Sequence, residues 1–129
     1  MSTSPSGRIA IVGVAESDEI GQVPHKSALQ HHAEAAHNAL GDCGLAKDDV
    51  DGLLTAGLST TITAEYMGIQ PSFADSTYVG GSSFVFHVAH AVAAINAGYC
   101  EVALITHGQA GRSARSRPAL DPLRPHVQY

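Results

Sequence analysis

Apolar residues along the chain follow two alternating patterns, short continuous runs and longer stretches with helical spacing. The continuous runs are typical of strands buried on both faces of a sheet, and the helical stretches are typical of helices that cover such a sheet. The predicted strands are residues 7–15, 51–56, 73–79 and 101–107. The predicted helices are residues 28–40, a short one at 64–67, and residues 83–97. This alternation predicts an α/β fold with helices packed on the sheet.

Start and stop signals sharpen the boundaries of these helices. Ser27 and Gln30 have the spacing of a capping box, so the first helix is expected to begin just after Ser27. Gly41 and Gly44 end that helix and Gly98 ends the long one, because glycine readily adopts the left-handed conformation that closes a helix. Pro71 prevents the short helix from extending.

The two ends of the chain differ from this regular region. Residues 1–7 are a short polar tail that is expected to be disordered, and residues 8–110 form the predicted domain. Residues 111–129 hold four of the seven basic residues of the chain and three of its six prolines, with no periodic pattern. This segment is therefore predicted to begin a long loop region, in which the chain is expected to be truncated.

Composition narrows the classes of function. The chain of 129 residues has a formal net charge of −5 and a pI near 5.8, which argues against nucleic acid as its main partner. No apolar run reaches the 18 or so residues of a membrane span, and the polar N-terminus does not resemble a signal peptide. The two cysteines do not form a disulfide framework. Together these features predict a cytoplasmic protein.

Histidines supply the first candidate chemistry. On the first helix, His32 and His37 are five residues apart, whereas a zincin helix needs a spacing of four, so helix core or surface is the favoured interpretation. On the long helix, His87 and His90 are three apart and can touch one ligand, but nothing nearby completes a metal set. A packing or polar interface role is favoured, and no metal site is predicted.

Reactive thiols and a dinucleotide site are both disfavoured. Cys43 and Cys100 each lie near the C-terminal end of a predicted helix, where the helix dipole disfavours a thiolate. After Gly13 the first predicted strand lacks the further glycines of a dinucleotide fingerprint. No bound cofactor is therefore expected.

The strongest candidate site is a tight turn between the third strand and the long helix. Residues 78–83 read Tyr-Val-Gly-Gly-Ser-Ser, the pattern of an elbow that presents a nucleophile, but glycine occupies its tip. Amides of Gly81, Ser82 and Ser83 at the helix start can bind an anion or a developing oxyanion. The alternative is a tight connection in which Ser82 or Ser83 caps the helix, and spacing alone favours this alternative.

Three segments resemble the N-terminal half of the thiolase superfamily. Residues 8–15 are similar to its opening strand, residues 39–52 to the end of its first helix and the strand that follows. Residues 78–104 resemble its nucleophile elbow, the buried helix behind the elbow and the next strand, and they are the most specific of the three. The resemblance covers roughly residues 8–110 and implies a thiolase-like βαβαβ layered fold, of which the chain holds the N-terminal half only.

At one position the chain departs from the thiolase pattern. Thiolases place the acyl-accepting cysteine immediately before a Gly-Ser pair, and here that place is Gly80. Since glycine has no side chain to form a thioester, thiolysis through a covalent intermediate cannot run through this position. The resemblance leaves Gly80, Gly81, Ser82 and Ser83 as the expected substrate-binding residues, with no catalytic residue identifiable.

Cysteine-less members are found in the lipid-transfer-protein or sterol-carrier-protein thiolase branch, and some resemble aldolases. The resemblance implies retro-aldol cleavage of a β-hydroxyacyl-CoA, with the coenzyme A thioester as substrate and a small accessory subunit beside the enzyme. It also implies a homodimer that pairs through residues 73–79. The acid–base residues would lie in a second half, so residues 1–129 alone are not expected to be active. A conventional acyltransferase and a non-catalytic lipid carrier or scaffold stay open as alternatives.

Overall fold

The computed structural model describes residues 4–115 and shows a three-stranded sheet with helices on it. Its strands and helices, in chain order, are α1 (Ala28–Cys43), β1 (Gly52–Thr55), α2 (Thr60–Met67), β2 (Phe73–Asp75), α3 (Ser83–Asn96), β3 (Ala103–Thr106) and α4 (Gly111–Arg115). All strand pairs are parallel, and the order across the sheet is β2-β1-β3. The α/β class predicted from the sequence is confirmed. No helix within residues 4–115 is long and apolar enough to cross a membrane.

β1 is the central strand and lies at the centre of the core. Leu53 pairs with Ala74 on one side and Leu104 on the other, and both Leu53 and Leu54 are fully buried. Ala36 of α1 is also buried in this cluster. A parallel strand covered on both faces must be apolar at every position, which explains the continuous run that predicted it.

The first helix begins where its capping box predicts and ends at Gly44, whereas Gly41, the other predicted stop, lies inside the helix. Ser27 Oγ accepts a hydrogen bond from the Gln30 amide, and the Gln30 side chain accepts one from the Ser27 amide, at 3.2 and 2.7 Å. Gly44 closes the helix in the left-handed conformation, with φ 71°. The reciprocal bonds satisfy two amides that a helix start otherwise leaves unpaired.

Asp51 ties the starts of the three strands together. Its carboxylate accepts hydrogen bonds from the amides of Glu101 and Val102, at 2.8–2.9 Å, just before β3. Its carbonyl oxygen accepts from the amides of Ser72 and Phe73, at 2.8 and 3.1 Å, where β2 begins. One residue therefore fixes the register of both outer strands against β1.

The prediction of an opening strand at residues 7–15 is wrong, because the structure forms no strand there. These residues run beside α1 without belonging to a strand, and Ile11 and Val14 are each 74% exposed instead of buried. The apolar run indicated a buried strand, but none of the described strands pairs with it. An apolar run shows that a segment suits a sheet, but it does not supply the partner strand.

Other boundaries also need correction. The short helix α2 begins at Thr60 instead of residue 64. β2 ends at Asp75 instead of residue 79. After Asp75 the backbone leaves the ladder, and the Thr77 amide donates to the Asp75 carboxylate instead of to a neighbouring strand. The predicted loop region 111–129 begins with the short helix α4, and the rest of that region lies outside the described residues. Of the predicted disordered tail 1–7, residues 1–3 also lie outside them.

Candidate functional site

The elbow between β2 and α3 is a tight turn with left-handed backbone at its tip. Gly80 adopts the left-handed conformation with φ 74°, whereas Gly81 does not have a positive φ. A Cβ atom added at Gly80 or Gly81 would meet no atom within 4 Å among the described residues. A side chain at position 80 would therefore project into open space, which is the geometry of a residue that presents a reactive group.

Ser83 holds this turn together from inside. Its hydroxyl accepts a hydrogen bond from the Val79 amide at 2.9 Å and donates one to the Gly80 carbonyl at 2.6 Å. Its amide also donates to the Gly80 carbonyl, at 3.1 Å, and the side chain is fully buried. Ser83 therefore supports the elbow, and its polar groups are engaged within the turn instead of facing a ligand.

Ser82 occupies the N-cap position of α3 but does not cap the helix with its side chain. Its hydroxyl instead donates to the Val79 carbonyl at 3.2 Å, on the exposed side of the turn. The expectation that Ser82 or Ser83 caps the helix is thus wrong, since both hydroxyls bond to the turn that precedes it. The amides of Gly81 and Ser82 are the better candidates for an anion or a developing oxyanion.

Two histidines of α3 fasten the helix to the segment that leads into the elbow. His87 is fully buried, and its Nε2–H donates to the Thr77 carbonyl at 2.9 Å. His90 Nδ1 pairs with the Asp75 carboxylate. The two rings therefore bind Thr77 and Asp75 separately and do not converge on one ligand. This arrangement agrees with the packing role favoured from the sequence.

The pKa of Asp75 reflects its place in this arrangement. Burial alone would raise it, but hydrogen bonds from Thr77 and the His90 ring outweigh burial and lower the pKa below its ordinary value. The carboxylate consequently stays ionised well into the acid range. It anchors the end of β2 at the point where the chain leaves the sheet.

A group of hydroxyl residues next to β2 was not predicted from the sequence. Thr60 donates to the Asp75 carbonyl at 2.9 Å, and its hydroxyl also lies 2.6 Å from Ser76 Oγ and 2.7 Å from Thr55 Oγ1. The available signal was topological, because Thr55 and Asp75 end neighbouring parallel strands and those ends meet at one edge. Finding the group would have required the strand order.

The histidines of α1 divide between the core and the surface. His32 is fully buried and bonds to Thr106 through Nδ1, whereas His37 is exposed. Burial, together with the nearby His107 and His31, lowers the pKa of His32 to about 4. Among residues 4–115 no cluster of three metal-ligating side chains is present.

Neither cysteine has the surroundings of a nucleophile. Cys100 is buried, and burial followed by the negative charge of Asp51 raises the pKa of its thiol. Cys43 donates its S–H to the carbonyls of Ala39 and Leu40, each at 3.4 Å. Both therefore act as small packing residues.

Comparison with known proteins places this geometry in a family. No family model matches the chain. A curated relative, the 17-hydroxy-3-oxo-4-pregnene-20-carboxyl-CoA lyase of Mycobacterium tuberculosis, is 36% identical over 101 residues, which cover 75% of this chain and 26% of the lyase. The chain thus spans about a quarter of the length of this relative.

Solved structures give the same assignment. The Ltp2-ChsH2(DUF35) aldolase matches with a TM-score of 0.68 and 32% identity over 81% of this chain and 28% of that chain. A monomeric SCP2-thiolase like protein type 1 from Mycobacterium smegmatis matches with a TM-score of 0.60 and 28% identity, over 74% of this chain and 22% of that chain. The Xanthomonas campestris OleA with bound lauric acid and lauroyl-CoA, at 17% identity and a TM-score of 0.56 over 63% of this chain and 27% of that chain, shows the fold alone.

These matches confirm the resemblance to the thiolase superfamily. The chain has a thiolase-like fold and covers part of one such domain, consistent with the N-terminal half. Within that superfamily its relatives above 25% identity are an SCP2-thiolase-like protein, an aldolase and a lyase. The chain therefore falls in the lipid-transfer-protein or sterol-carrier-protein branch predicted from its sequence.

Proposed function

We propose that the full-length protein is an acyl-CoA lyase that cleaves a carbon–carbon bond by a retro-aldol reaction, without a covalent acyl intermediate at the elbow. The observation that carries this proposal is Gly80, which keeps the left-handed backbone and open surroundings of a nucleophile position but has no side chain to present. Identity of 36% to a curated lyase and 32% to a solved aldolase supports the same class of reaction.

The substrate of the curated relative indicates the arrangement of atoms that such a reaction needs. Its name combines a hydroxyl on carbon 17 of a pregnene with a carboxyl-CoA group on carbon 20. Carbon 20 is bonded to carbon 17, so the hydroxyl is β to the thioester carbonyl. We propose that the substrate here is likewise a β-hydroxyacyl-CoA.

In this reaction a base removes the proton of the β-hydroxyl, the new carbonyl forms, and the bond between the α and β carbons breaks. The electron pair of that bond moves into the thioester as an enolate, which is then protonated at the α carbon to give a shorter acyl-CoA. The proposed role of the Gly81 and Ser82 amides is to donate hydrogen bonds to the enolate oxygen, where preorganised donors lower the barrier. We propose that the base comes from polypeptide outside residues 1–129.

The test uses the full-length gene product, incubated with a β-hydroxyacyl-CoA and, separately, with a β-ketoacyl-CoA plus coenzyme A. We expect the hydroxy compound to release an aldehyde or ketone and an acyl-CoA, with no acyl adduct in the intact-mass spectrum. Thiolysis with an acyl adduct would instead identify an acyltransferase that uses another nucleophile. Inactivity on both substrates, with and without a candidate accessory subunit, would favour the carrier or scaffold.

A Gly80→Cys variant is the matched control for the elbow. It restores a thiol to the nucleophile position of the full-length protein, but we expect no thiolase activity, because the proposed base is positioned for a β-hydroxyl proton and not for thiolysis. Thiolysis of acetoacetyl-CoA by this variant would contradict the proposed division of roles. Retention of lyase activity in a Gly81→Ala variant would show that the amide alone is needed at that position.

We also propose that the protein forms a homodimer through residues 73–79 and the exposed start of α3. Tyr78, Val79, Val85 and Phe86 are large apolar residues that remain exposed around the elbow, and exposed apolar patches mark interaction surfaces. Light scattering on the full-length protein and a Phe86→Glu variant tests this proposal. A wild-type monomer, as the name of the Mycobacterium smegmatis relative describes for that protein, would exclude the dimer.

An accessory subunit is the second proposed partner. The two-part name of the Ltp2-ChsH2(DUF35) aldolase supports it. Co-purification of a second polypeptide with the full-length protein, followed by loss of lyase activity when the two are separated, would be the expected result. Full activity of the purified single polypeptide would contradict it.

A further inference from the structure

His107 lies where several elements meet beside the elbow. It is the first residue after β3, which ends at Thr106. Its ring centroid is 4.7 Å from that of Phe84, the second residue of α3, and the two ring planes are tilted by 55°. The same ring meets His32 of α1 edge-on, at 6.0 Å between centroids. One imidazole therefore contacts the first turn of α3 and a second helix from the end of a strand.

This ring is also bonded to the end of the central strand. Burial lowers the pKa of the His107 imidazole, and a hydrogen bond to the backbone of Ala56, the residue after β1, offsets only part of that change. Because a bond that raises the pKa favours the protonated ring, a ring N–H is the donor and the Ala56 carbonyl oxygen accepts. The ring is neutral at pH 7, so its single N–H is committed to Ala56.

A series of rings continues from His107 towards the elbow. The Phe84 ring stands nearly perpendicular to that of His87, with 5.9 Å between the centroids and 84° between the planes. His87 in turn donates to the Thr77 carbonyl, on the segment that leads into Gly80. The first turn of α3 is therefore held between the ends of β1 and β3 on one side and residues 75–77 on the other.

The two glycines at the tip of the elbow cannot fix their own direction by packing. Gly80 and Gly81 have no side chains, and a Cβ atom added at either position would meet nothing within 4 Å among the described residues. Ser83 bonds to Val79 and Gly80, which fixes the shape of the turn. The orientation of the turn relative to the sheet depends instead on what holds the first turn of α3.

We propose that His107 is a positioning residue for the elbow. By packing on Phe84 and bonding to Ala56, it sets the direction of the Gly81 and Ser82 amides relative to the ends of β1 and β3. This inference rests on the proposed function, in which those amides bind the enolate oxygen. Donors to a developing oxyanion must be preorganised, and a displacement of about 1 Å can lower a rate roughly a hundredfold.

Two properties of histidine act together at this position. The flat ring packs on Phe84, and the N–H pairs with the carbonyl of Ala56, which is buried. His107→Phe keeps a ring and removes the N–H, whereas His107→Gln keeps an N–H donor and removes the ring. Cys100→Ala is the matched control, because it truncates a buried side chain shortly before β3, at the other end of the same strand.

The test compares these variants in the full-length protein, together with its accessory subunit if one co-purifies. Cleavage of a β-hydroxyacyl-CoA gives kcat and KM, and urea unfolding gives stability. Hydrogen exchange of a peptide spanning residues 78–86 reports the first turn of α3, where the amides of Val85 and Phe86 donate to the Ser82 carbonyl.

We expect both His107 variants to lower kcat roughly tenfold to a hundredfold, with KM changed less than about threefold. Residues 78–86 should exchange faster in both variants than in the wild type. Cys100→Ala should lose stability without either change. If one His107 variant fails to fold, the other carries the same comparison.

Three results would overturn the proposal. The first is a loss of stability like that of Cys100→Ala with kcat and exchange unchanged, which would make His107 purely structural. The second is a higher KM with kcat unchanged, since His107 would then bind the substrate itself. The third applies if the wild type cleaves no β-hydroxyacyl-CoA, which refutes the proposed function separately: equal exchange at residues 78–86 in the wild type and both variants would then show that His107 does not hold the elbow, and faster exchange in the variants would show that it does.

Discussion

β2 and β3 are the two outer strands of one three-stranded sheet, and their outer surroundings are built in opposite ways. β2 stops after three residues. Its last residue and the segment that follows bond to side chains of α3, as Asp75 pairs with His90 and the Thr77 carbonyl accepts from His87. On the other side of the sheet, a groove separates the outer edge of β3 from residues 8–17, which belong to no strand. The difference teaches that side chains of the described residues complete the surroundings of the elbow, whereas the outer edge of β3 pairs with no other strand among residues 4–115.

The largest effect is expected where β3 leaves the sheet and packs on α1. A Cβ at Gly108 would lie 2.5 Å from the Ala28 carbonyl oxygen and 2.7 Å from the His32 amide nitrogen, both backbone atoms. Gly108→Ala should therefore cost about 3 kcal/mol in the free energy of unfolding, since α1 must move away from β3. Urea unfolding measures the loss. Gly111→Ala is the matched control, because a Cβ there meets nothing within 4 Å, and an equal effect of both changes would contradict the close contact.

Acid should weaken the same junction. His32 is fully buried with a pKa of about 4 instead of 6.5. Above pH 6.5 the ring is neutral in both folded and unfolded chains, so it does not affect stability. Between pH 6.5 and 4 the unfolded chain binds a proton that the folded chain does not, so stability falls as pH decreases, by roughly 2–3 kcal/mol. Burial lowers the pKa of His107 as well, which acts in the same direction.

Unfolding followed between pH 7 and pH 4 checks this dependence. A His32→Gln variant should show a flatter profile, since glutamine does not titrate and can still bond to Thr106. An unchanged slope in that variant would assign the pH dependence to other groups. Carboxylates with lowered pKa values, such as Asp75, weaken the fold only at lower pH.

On the β2 side, Ser83 should matter more than its neighbour Ser82. Ser83→Ala removes a buried hydroxyl that bonds to both Val79 and Gly80, and it leaves the Val79 amide unpaired, so we expect a loss of about 1–3 kcal/mol. Ser82→Ala removes one exposed bond and should cost less than about 1 kcal/mol. Thermal unfolding of the two variants compares them directly. Similar losses would mean that the buried bonds do not hold the elbow.

The smallest effects separate the two glycines of the elbow. Gly80→Ala should cost about 1–2 kcal/mol because an L-residue is strained at φ 74°. Gly81→Val should cost less, since Gly81 does not need a positive φ and its Cβ would meet open space. Melting temperatures of both variants test this order, and the reverse order would place the strain at the second glycine.

The sequence was most informative where a local signal and a tertiary requirement agreed. The capping box of Ser27 and Gln30 fixed the start of α1, and the continuous apolar run at Leu53 and Leu54 identified the central strand. Gly80 was located by the same logic, because a double glycine between a strand and a helix permits a tight turn with left-handed backbone that other residues adopt only with strain. In each case the local signal and the partners that the fold supplies favour the same conformation.

The remaining features depend on partners that are distant along the chain. Residues 7–15 have the composition of a strand, but a strand needs a neighbour, and none of the described strands provides one. Predicting the hydrogen bond from Thr60 to Asp75, or the bonds by which Asp51 joins the starts of the strands, would have required the strand order. The burial of Ser83 depended on how the elbow folds over its own hydroxyl, which the residue type does not reveal.

The left-handed backbone at position 80 also biases the course of mutation there. Glycine adopts φ 74° without strain, and every other common residue is strained by it. A change to glycine at this position therefore increases stability whatever chemistry is lost, and the reverse change has to be selected against that gain. Stability therefore favours mutations that replace a side chain at the tip of the elbow with glycine and opposes mutations in the reverse direction.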